Sequence, residues 1–135
     1  MPRILALDYG TKRTGIAVTD PLQIIATGLT TVSSQQLRPF LTAYFAKEAV
    51  EQVIIGLPYN LNGTDTHATK PVKDFIRLFK KDHPNVPITT VDEQYTSQMA
   101  VQALVQSGVK KQQRRNKALL DEMAATIMLQ AFLQK

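Results

Sequence analysis

The sequence of 135 residues contains no cysteine and only two histidines, His67 and His83. Without cysteine the chain has no disulfide framework, no thiolate metal site and no cysteine nucleophile, and its composition fits a reducing compartment. Two isolated histidines are too few for a zinc cluster, and both are expected at the surface. No apolar run reaches the roughly 20 residues that span a bilayer, and the N-terminus lacks a signal-peptide pattern. These absences predict a cytoplasmic protein without a membrane partner.

The charge balance is mildly basic. Sixteen Lys and Arg against eleven Asp and Glu give a net charge of +5 at pH 7 and an isoelectric point near 9.6. This weakly favours an anionic partner. A chain of this length buries roughly two thirds of the surface that it exposes when unfolded. With no internal repeat and no linker, we expect one domain over residues 1–135.

Hydrophobic periodicity predicts the element order βββαβαβαα. Apolar runs at 4–7 and 15–18 are separated by a turn of hairpin length, and residues 24–32 continue them as a third strand. Further strands are expected at 52–57 and 87–91, with helices after residue 38, through 72–79, from about 96 to 108, and over about 116–133. This order predicts an α/β protein with a five-stranded mixed sheet. Strands one to three form a meander, strands four and five are added by helical crossovers, and helices flank the sheet.

Three acids are placed where such a sheet binds ligands. Asp8 ends the first apolar strand and Glu93 follows the fifth, and the carboxyl ends of parallel strands meet at one edge of the sheet. Asp121 joins them if the last helix packs across that edge. Converging carboxylates repel one another unless cations neutralise them, and a pair of Mg²⁺ or Mn²⁺ ions about 3.5–4 Å apart does so in phosphodiester hydrolysis. Spacing alone leaves open the alternative that Asp8 is paired locally or caps its turn.

Four sequence blocks follow one another along the chain: LALDYGTKRTGIAVTD, IIGLPYNLNG, VDEQYTS and DEMAATIML. They resemble the DxGxKxxG, GLPxxxxG, DERxTS and D-x-x-A-A signatures of the YqgF/RuvX family of pre-16S rRNA nucleases, once described as Holliday-junction resolvase homologues. The resemblance covers essentially the whole chain. One departure is Gln94, where the family usually has arginine, and it bears on a cationic phosphate contact rather than on the acids.

The resemblance implies an RNase H-like fold and metal-dependent endonuclease chemistry. The expected substrate is structured RNA, above all the 5′ end of precursor 16S ribosomal RNA, and branched DNA is the alternative. The resemblance also implies a magnesium site, built from Asp8, Glu93 and Asp121, whose acids are both metal ligands and catalytic residues. The chain is expected to act as a monomer or weak homodimer.

Cations near these motifs are candidate nucleic-acid contacts. Five of them occupy eight residues without an intervening acid, just before the helix of Asp121: Lys110, Lys111, Arg114, Arg115 and Lys117. We expect them to follow a phosphate backbone, although a solvated loop has the same composition. Lys12 and Arg13 contact phosphates or only balance Asp8 and Asp20. Asn60 orients a phosphate or forms a turn, and Tyr9 stacks on a base or belongs to the core.

Two other functional classes fit parts of the pattern. Asp-x-Gly-Thr at residues 8–11 also opens the phosphate loop of actin-like ATPases and sugar kinases, but those enzymes need a second domain that 135 residues cannot supply. A non-catalytic RNA-binding module for ribosome assembly needs the fold without the chemistry. Three acids argue against it, because a retired site has no physical reason to keep mutually repelling carboxylates.

Overall fold

A computed structural model describes residues 2–57, 69–92 and 117–134, without the side chains of residues 92, 117 and 118. The strands are β1 (Arg3–Tyr9), β2 (Arg13–Thr19), β3 (Ala26–Ser33), β4 (Val50–Leu57) and β5 (Ile88–Asp92). The helices are α1 (Leu37–Lys47), α2 (Thr69–Asp82) and α3 (Lys117–Leu133), and a short 3₁₀ turn at Ser34–Gln36 leads into α1. None of these helices has the length and apolar character needed to cross a membrane.

The five strands form one mixed sheet in the order β3-β2-β1-β4-β5. Strands β1, β2 and β3 are antiparallel neighbours, whereas β4 and β5 run parallel to β1. The predicted meander with two crossover strands is therefore confirmed. The predicted helix over about 96–108 lies outside the described residues.

The third strand begins later than the sequence predicted. It starts at Ala26, not Ile24, because the carboxylate of Asp20 accepts the main-chain N–H groups of Ile24 and Ile25 at 2.8 and 2.7 Å. Gln23 adopts a positive φ of 59° in the same turn. These N–H groups are therefore bonded within the turn and are not available to pair with a neighbouring strand. The side chains of Ile24 and Ile25 remain exposed.

The sheet has a hydrophobic layer on each face. Successive side chains of a strand point to opposite faces, so Leu5 and Leu7 pack towards α1 and α2 while Ile4 and Ala6 pack towards α3. This two-sided cover explains why four consecutive residues of β1 are buried. A fully buried leucine or isoleucine contributes roughly 1.5–3 kcal/mol relative to exposure. The first strand is thus anchored from both sides up to the residue before Asp8.

Two aromatic positions test expectations from the sequence. Tyr9 belongs to the core rather than to an open stacking surface, since its ring stacks on Phe75 with centroids 5.0 Å apart. Burial, and then the charge of Asp74, raise the pKa of its phenol. His83 was expected at the surface, but its ring packs against Phe45 and Phe79 at 4.8 and 5.2 Å. The ring of His83 is therefore half-buried rather than fully exposed.

Candidate active site

Asp8 lies near the carboxyl end of β1, on the face of the sheet that α3 covers. It shares that face with Ile4 and Ala6 because side chains alternate along the strand. The residue is half-buried. Since β4 and β5 run parallel to β1, their carboxyl ends reach the same edge of the sheet. Asp8 therefore occupies the position where open α/β sheets bind ligands.

Gly15 brings α3 against the sheet beside Asp8. In the antiparallel pairing of β1 and β2, Gly15 is the Cα partner of Asp8. A Cβ atom at Gly15 would overlap the main-chain carbonyl of Asp121 and lie 2.7 Å from the main-chain nitrogen of Glu122. Glycine inside a strand often marks such a close backbone approach. Asp8 and Asp121 thus flank one glycine from two separate elements.

Small residues allow this close approach along the helix. Ala6 and Ala17 on the sheet and Ala125 on α3 are fully buried in the layer between them. Gly28 on β3 lies next to the side chain of Glu122. A row of small side chains lets the helix lie near the strands without a gap. The position of Asp121 is consequently fixed by packing over several turns of α3.

Arg13 forms an ion pair with Asp121. Its Nε donates to Oδ2 of Asp121 at 2.9 Å, with 38% of the arginine side chain and 24% of the aspartate side chain exposed. The sequence left open whether Arg13 would contact phosphates or only balance Asp8 and Asp20, whereas its observed partner is an acid 108 positions further along the chain. Asp20 instead accepts main-chain N–H groups, which hold its pKa below the ordinary value, the bond from Ile25 having the largest effect.

The turn that carries Arg13 is held by its neighbours. The N–H of Gly10 donates to the carbonyl of Arg13 at 2.9 Å, and the N–H of Ser34 donates to the carbonyl of Lys12 at 2.9 Å. The hydroxyl of Ser34 also donates to the carbonyl of Gly10 and lies 2.9 Å from the hydroxyl of the buried Thr14. This network fixes the backbone of the turn and leaves Lys12 exposed.

The other residues predicted for the site fall partly or wholly outside the described residues. Those wholly outside are Glu93, Asn60, Lys110, Lys111, Arg114 and Arg115, and with them Gln94. Lys117 begins α3, but its side chain is not described. Within residues 2–57, 69–92 and 117–134, no group of three or more His, Cys, Asp or Glu residues could hold a metal ion. The described part of the site therefore consists of Asp8 and Asp121, with Arg13 bound to the second.

Comparison with known proteins identifies the family. The family model described as "RuvX: Holliday junction resolvase" matches residues 2–135. The chain belongs to the RuvX family. Among its relatives, a protein of Flavobacterium psychrophilum is 54% identical over 135 residues, which cover 100% of this chain and 98% of the relative. A protein of Bacteroides thetaiotaomicron is 50% identical over 134 residues, which cover 99% of this chain and 97% of the relative. Both are named "Putative pre-16S rRNA nuclease".

Solved structures show the fold of this RuvX chain. T. thermophilus RuvC in complex with a Holliday junction substrate aligns with a TM-score of 0.60 at 14% identity, over 98% of this chain and 94% of RuvC. The fowlpox virus Holliday junction resolvase aligns with a TM-score of 0.58 at 14% identity, over 98% of each chain. The predicted RNase H-like fold is confirmed by these neighbours and by the five-stranded sheet.

Sequence reasoning missed three residues that shape the candidate site of this RuvX chain. Gly15 and Gly28 admit the helix, and Ser34 anchors the turn of Arg13. A signal for the glycines was present, because a glycine inside an otherwise regular strand suggests a close approach of another backbone. No comparable signal marks Ser34, which lies 24 residues from the carbonyl that its hydroxyl contacts.

Proposed function

We propose that the chain is a divalent-metal-dependent endonuclease that hydrolyses phosphodiester bonds in structured RNA, at the 5′ end of precursor 16S ribosomal RNA. The observation that carries this proposal is that Asp8 and the main chain of Asp121 both adjoin Gly15, at the carboxyl edge of a parallel strand pair. It is supported by relatives about half identical over their full length and named as nucleases of this precursor. A cytoplasmic single-domain enzyme is part of the proposal.

The described acids fit a hard divalent cation. Both offer carboxylate oxygens, the ligands that Mg²⁺ and Mn²⁺ prefer. Asp121 is three-quarters buried and already has a cationic group, the guanidinium of Arg13, against one oxygen. A partly buried carboxylate in this position needs positive charge nearby. The site is thus suited to holding a cation.

In this proposal Asp8 and Asp121 hold the metal ions, two in number, and Glu93 completes the acid set. When bound, such ions polarise the phosphate and lower the pKa of the attacking water. Lys12, exposed on the turn beside the acids, contacts a backbone phosphate of the substrate. Asn60, Lys110, Lys111, Arg114, Arg115 and Lys117 are proposed to extend this contact along the nucleic acid.

The substitution Asp8→Asn tests the metal site, because it keeps the shape of the side chain and removes its charge. Mg²⁺-dependent cleavage of precursor 16S ribosomal RNA is expected to fall by at least about 10²-fold, and removal of Mg²⁺ with EDTA should abolish wild-type cleavage. Thermal unfolding should remain cooperative, since relieving repulsion between acids does not disturb the core. Asp74→Asn is the matched control, because Asp74 lies on α2, on the opposite face of the sheet. Full Mg²⁺-dependent activity of Asp8→Asn would refute the proposal.

A second substrate separates the two candidate reactions. The matching family model is described as a Holliday junction resolvase, and the aligned RuvC structure contains a junction. The same assay should therefore include a four-way DNA junction. Faster cleavage of the RNA, at matched concentration and ionic strength, is expected. Symmetric incision of the junction with no RNA cleavage would favour branched DNA as the substrate.

A further inference from the structure

The ion pair between Arg13 and Asp121 joins a residue expected to bind nucleic acid to one expected to bind metal. Both partners are held by main-chain contacts. The carbonyl of Arg13 accepts the N–H of Gly10, and the main chain of Asp121 packs directly on Gly15. The fold therefore brings the two residues together, and Nε of Arg13 lies 2.9 Å from Oδ2 of Asp121.

A divalent ion changes the electrostatics of this pair. A carboxylate oxygen that ligates the ion shares its charge with it, and the ion repels a guanidinium a few ångströms away. Both side chains retain some exposure, 38% for Arg13 and 24% for Asp121, so the arginine has solvent into which its head can move. Arginine also presents a planar fork of donors that matches a phosphate group. The released guanidinium is thus chemically suited to a substrate phosphate.

We propose that Arg13 is the resident counter-cation of Asp121 in the metal-free protein, and that metal binding releases its guanidinium to a substrate phosphate. The inference rests on the metal-dependent function proposed above. It makes Arg13 a competitor of the metal and, once displaced, a ligand of the nucleic acid. Because binding free energies are linked, metal and nucleic acid then strengthen each other's binding.

Metal binding without nucleic acid tests the first half. Mn²⁺ is titrated into wild type, Arg13→Gln and Lys12→Gln by calorimetry. Lys12→Gln removes the same charge from the neighbouring exposed position, where it has no part in this ion pair. Arg13→Gln is expected to bind Mn²⁺ up to about fivefold more tightly than wild type, the upper end for an ion pair worth about 1 kcal/mol. Lys12→Gln should change the affinity by a smaller factor.

Three outcomes would overturn the inference. Weaker Mn²⁺ binding by Arg13→Gln would mean that the arginine holds Asp121 in place for the metal. Equal affinities in wild type and Arg13→Gln would mean that the pair does not compete. An equal gain in Mn²⁺ affinity in Arg13→Gln and Lys12→Gln would mean that the effect comes from removing any positive charge near the site, and not from this ion pair. Each leaves the proposed nuclease function standing, whereas failure of all three proteins to bind Mn²⁺ would overturn both.

RNA binding in EDTA tests the second half without metal or catalysis. Asp121→Asn removes the charge that holds Arg13, so the variant should bind an RNA stem several-fold more tightly than wild type. Glu122→Gln is the control for loss of one negative charge from the same helix. The double variant Asp121→Asn with Arg13→Gln should bind the RNA stem no more tightly than Glu122→Gln does. A gain that persists in the double variant would refute the release of Arg13 to phosphate.

Discussion

The substitution Gly15→Ala is expected to separate Asp121 from Asp8 while adding only one methyl group. Its Cβ would overlap main-chain atoms of Asp121 and Glu122, which cannot rotate away as a side chain can. Restoring a contact of about 3.5 Å requires α3 to move by on the order of 1 Å. Overpacking of this kind costs about 3 kcal/mol at the upper end of its usual range. Replacing a glycine inside a strand by alanine stabilises the fold by about 0.5–1 kcal/mol. The free energy of unfolding should therefore fall by about 2 kcal/mol in total.

Gly28→Ala is the matched control for this experiment. Its Cβ would first meet the side chain of Glu122, whose carboxylate can swing aside. The melting temperature should fall by roughly 6–10 °C in Gly15→Ala and change little in Gly28→Ala. Single-turnover cleavage with Mg²⁺ should fall about 10²-fold in Gly15→Ala, the usual consequence of a misplacement near 1 Å. Wild-type stability and activity of Gly15→Ala would refute the close approach of α3 as the feature that positions Asp121.

Two further predictions concern the turn at Asp20, which precedes β3, and the basic segment at residues 110–117. Asp20→Asn should lower the melting temperature at pH 7, because the carboxylate accepts main-chain N–H groups and its pKa is depressed. A depressed carboxyl pKa stabilises the fold above the unfolded value of about 3.9 and loses that effect as pH falls. The difference in melting temperature should therefore shrink in acid, and a constant difference would contradict it. Neutralising Arg114 and Arg115 together should reduce the log–log salt slope of RNA binding by about 0.7–0.9 for each lost phosphate contact. An unchanged slope would make the segment a solvated loop.

The fold followed from local patterns. The continuous apolar run of β1 predicted a strand covered on both faces, and both layers are present. The short turn before β2 predicted an antiparallel pair, and the helical crossovers predicted the parallel strands. The predicted start of β3 was wrong. The β-branched residues at 24 and 25 suit a strand, but the side chain of the preceding Asp20 accepts their N–H groups in competition with a neighbouring strand.

The candidate site was less accessible to sequence reasoning. Asp8 could be placed at a strand end because its apolar run is contiguous in sequence. Asp121 could be placed on a helix, but the face it meets depends on the crossing of α3 over the sheet, which Gly15 and Gly28 decide. Packing between elements more than 100 residues apart leaves no periodic signal in either of them. The proposed role of Glu93 stays a prediction, because this residue lies outside the described residues.

The partner of Asp121 lies far away in sequence, unlike the partners of Asp74 and Asp20. Asp74 pairs with Lys70 four positions away on its own helix, and Asp20 is bound by its own turn. Such partners form wherever the local segment forms. Asp121 meets Arg13, the first residue of β2, and this arginine is near only when α3 has packed on the sheet. The ion pairs of Glu48 with Arg3 and of Asp82 with Arg38 likewise form only in the folded chain. A cation site that includes Asp121 and Asp8 can therefore exist only in the folded chain, so the free energy of metal binding there must also stabilise the folded state.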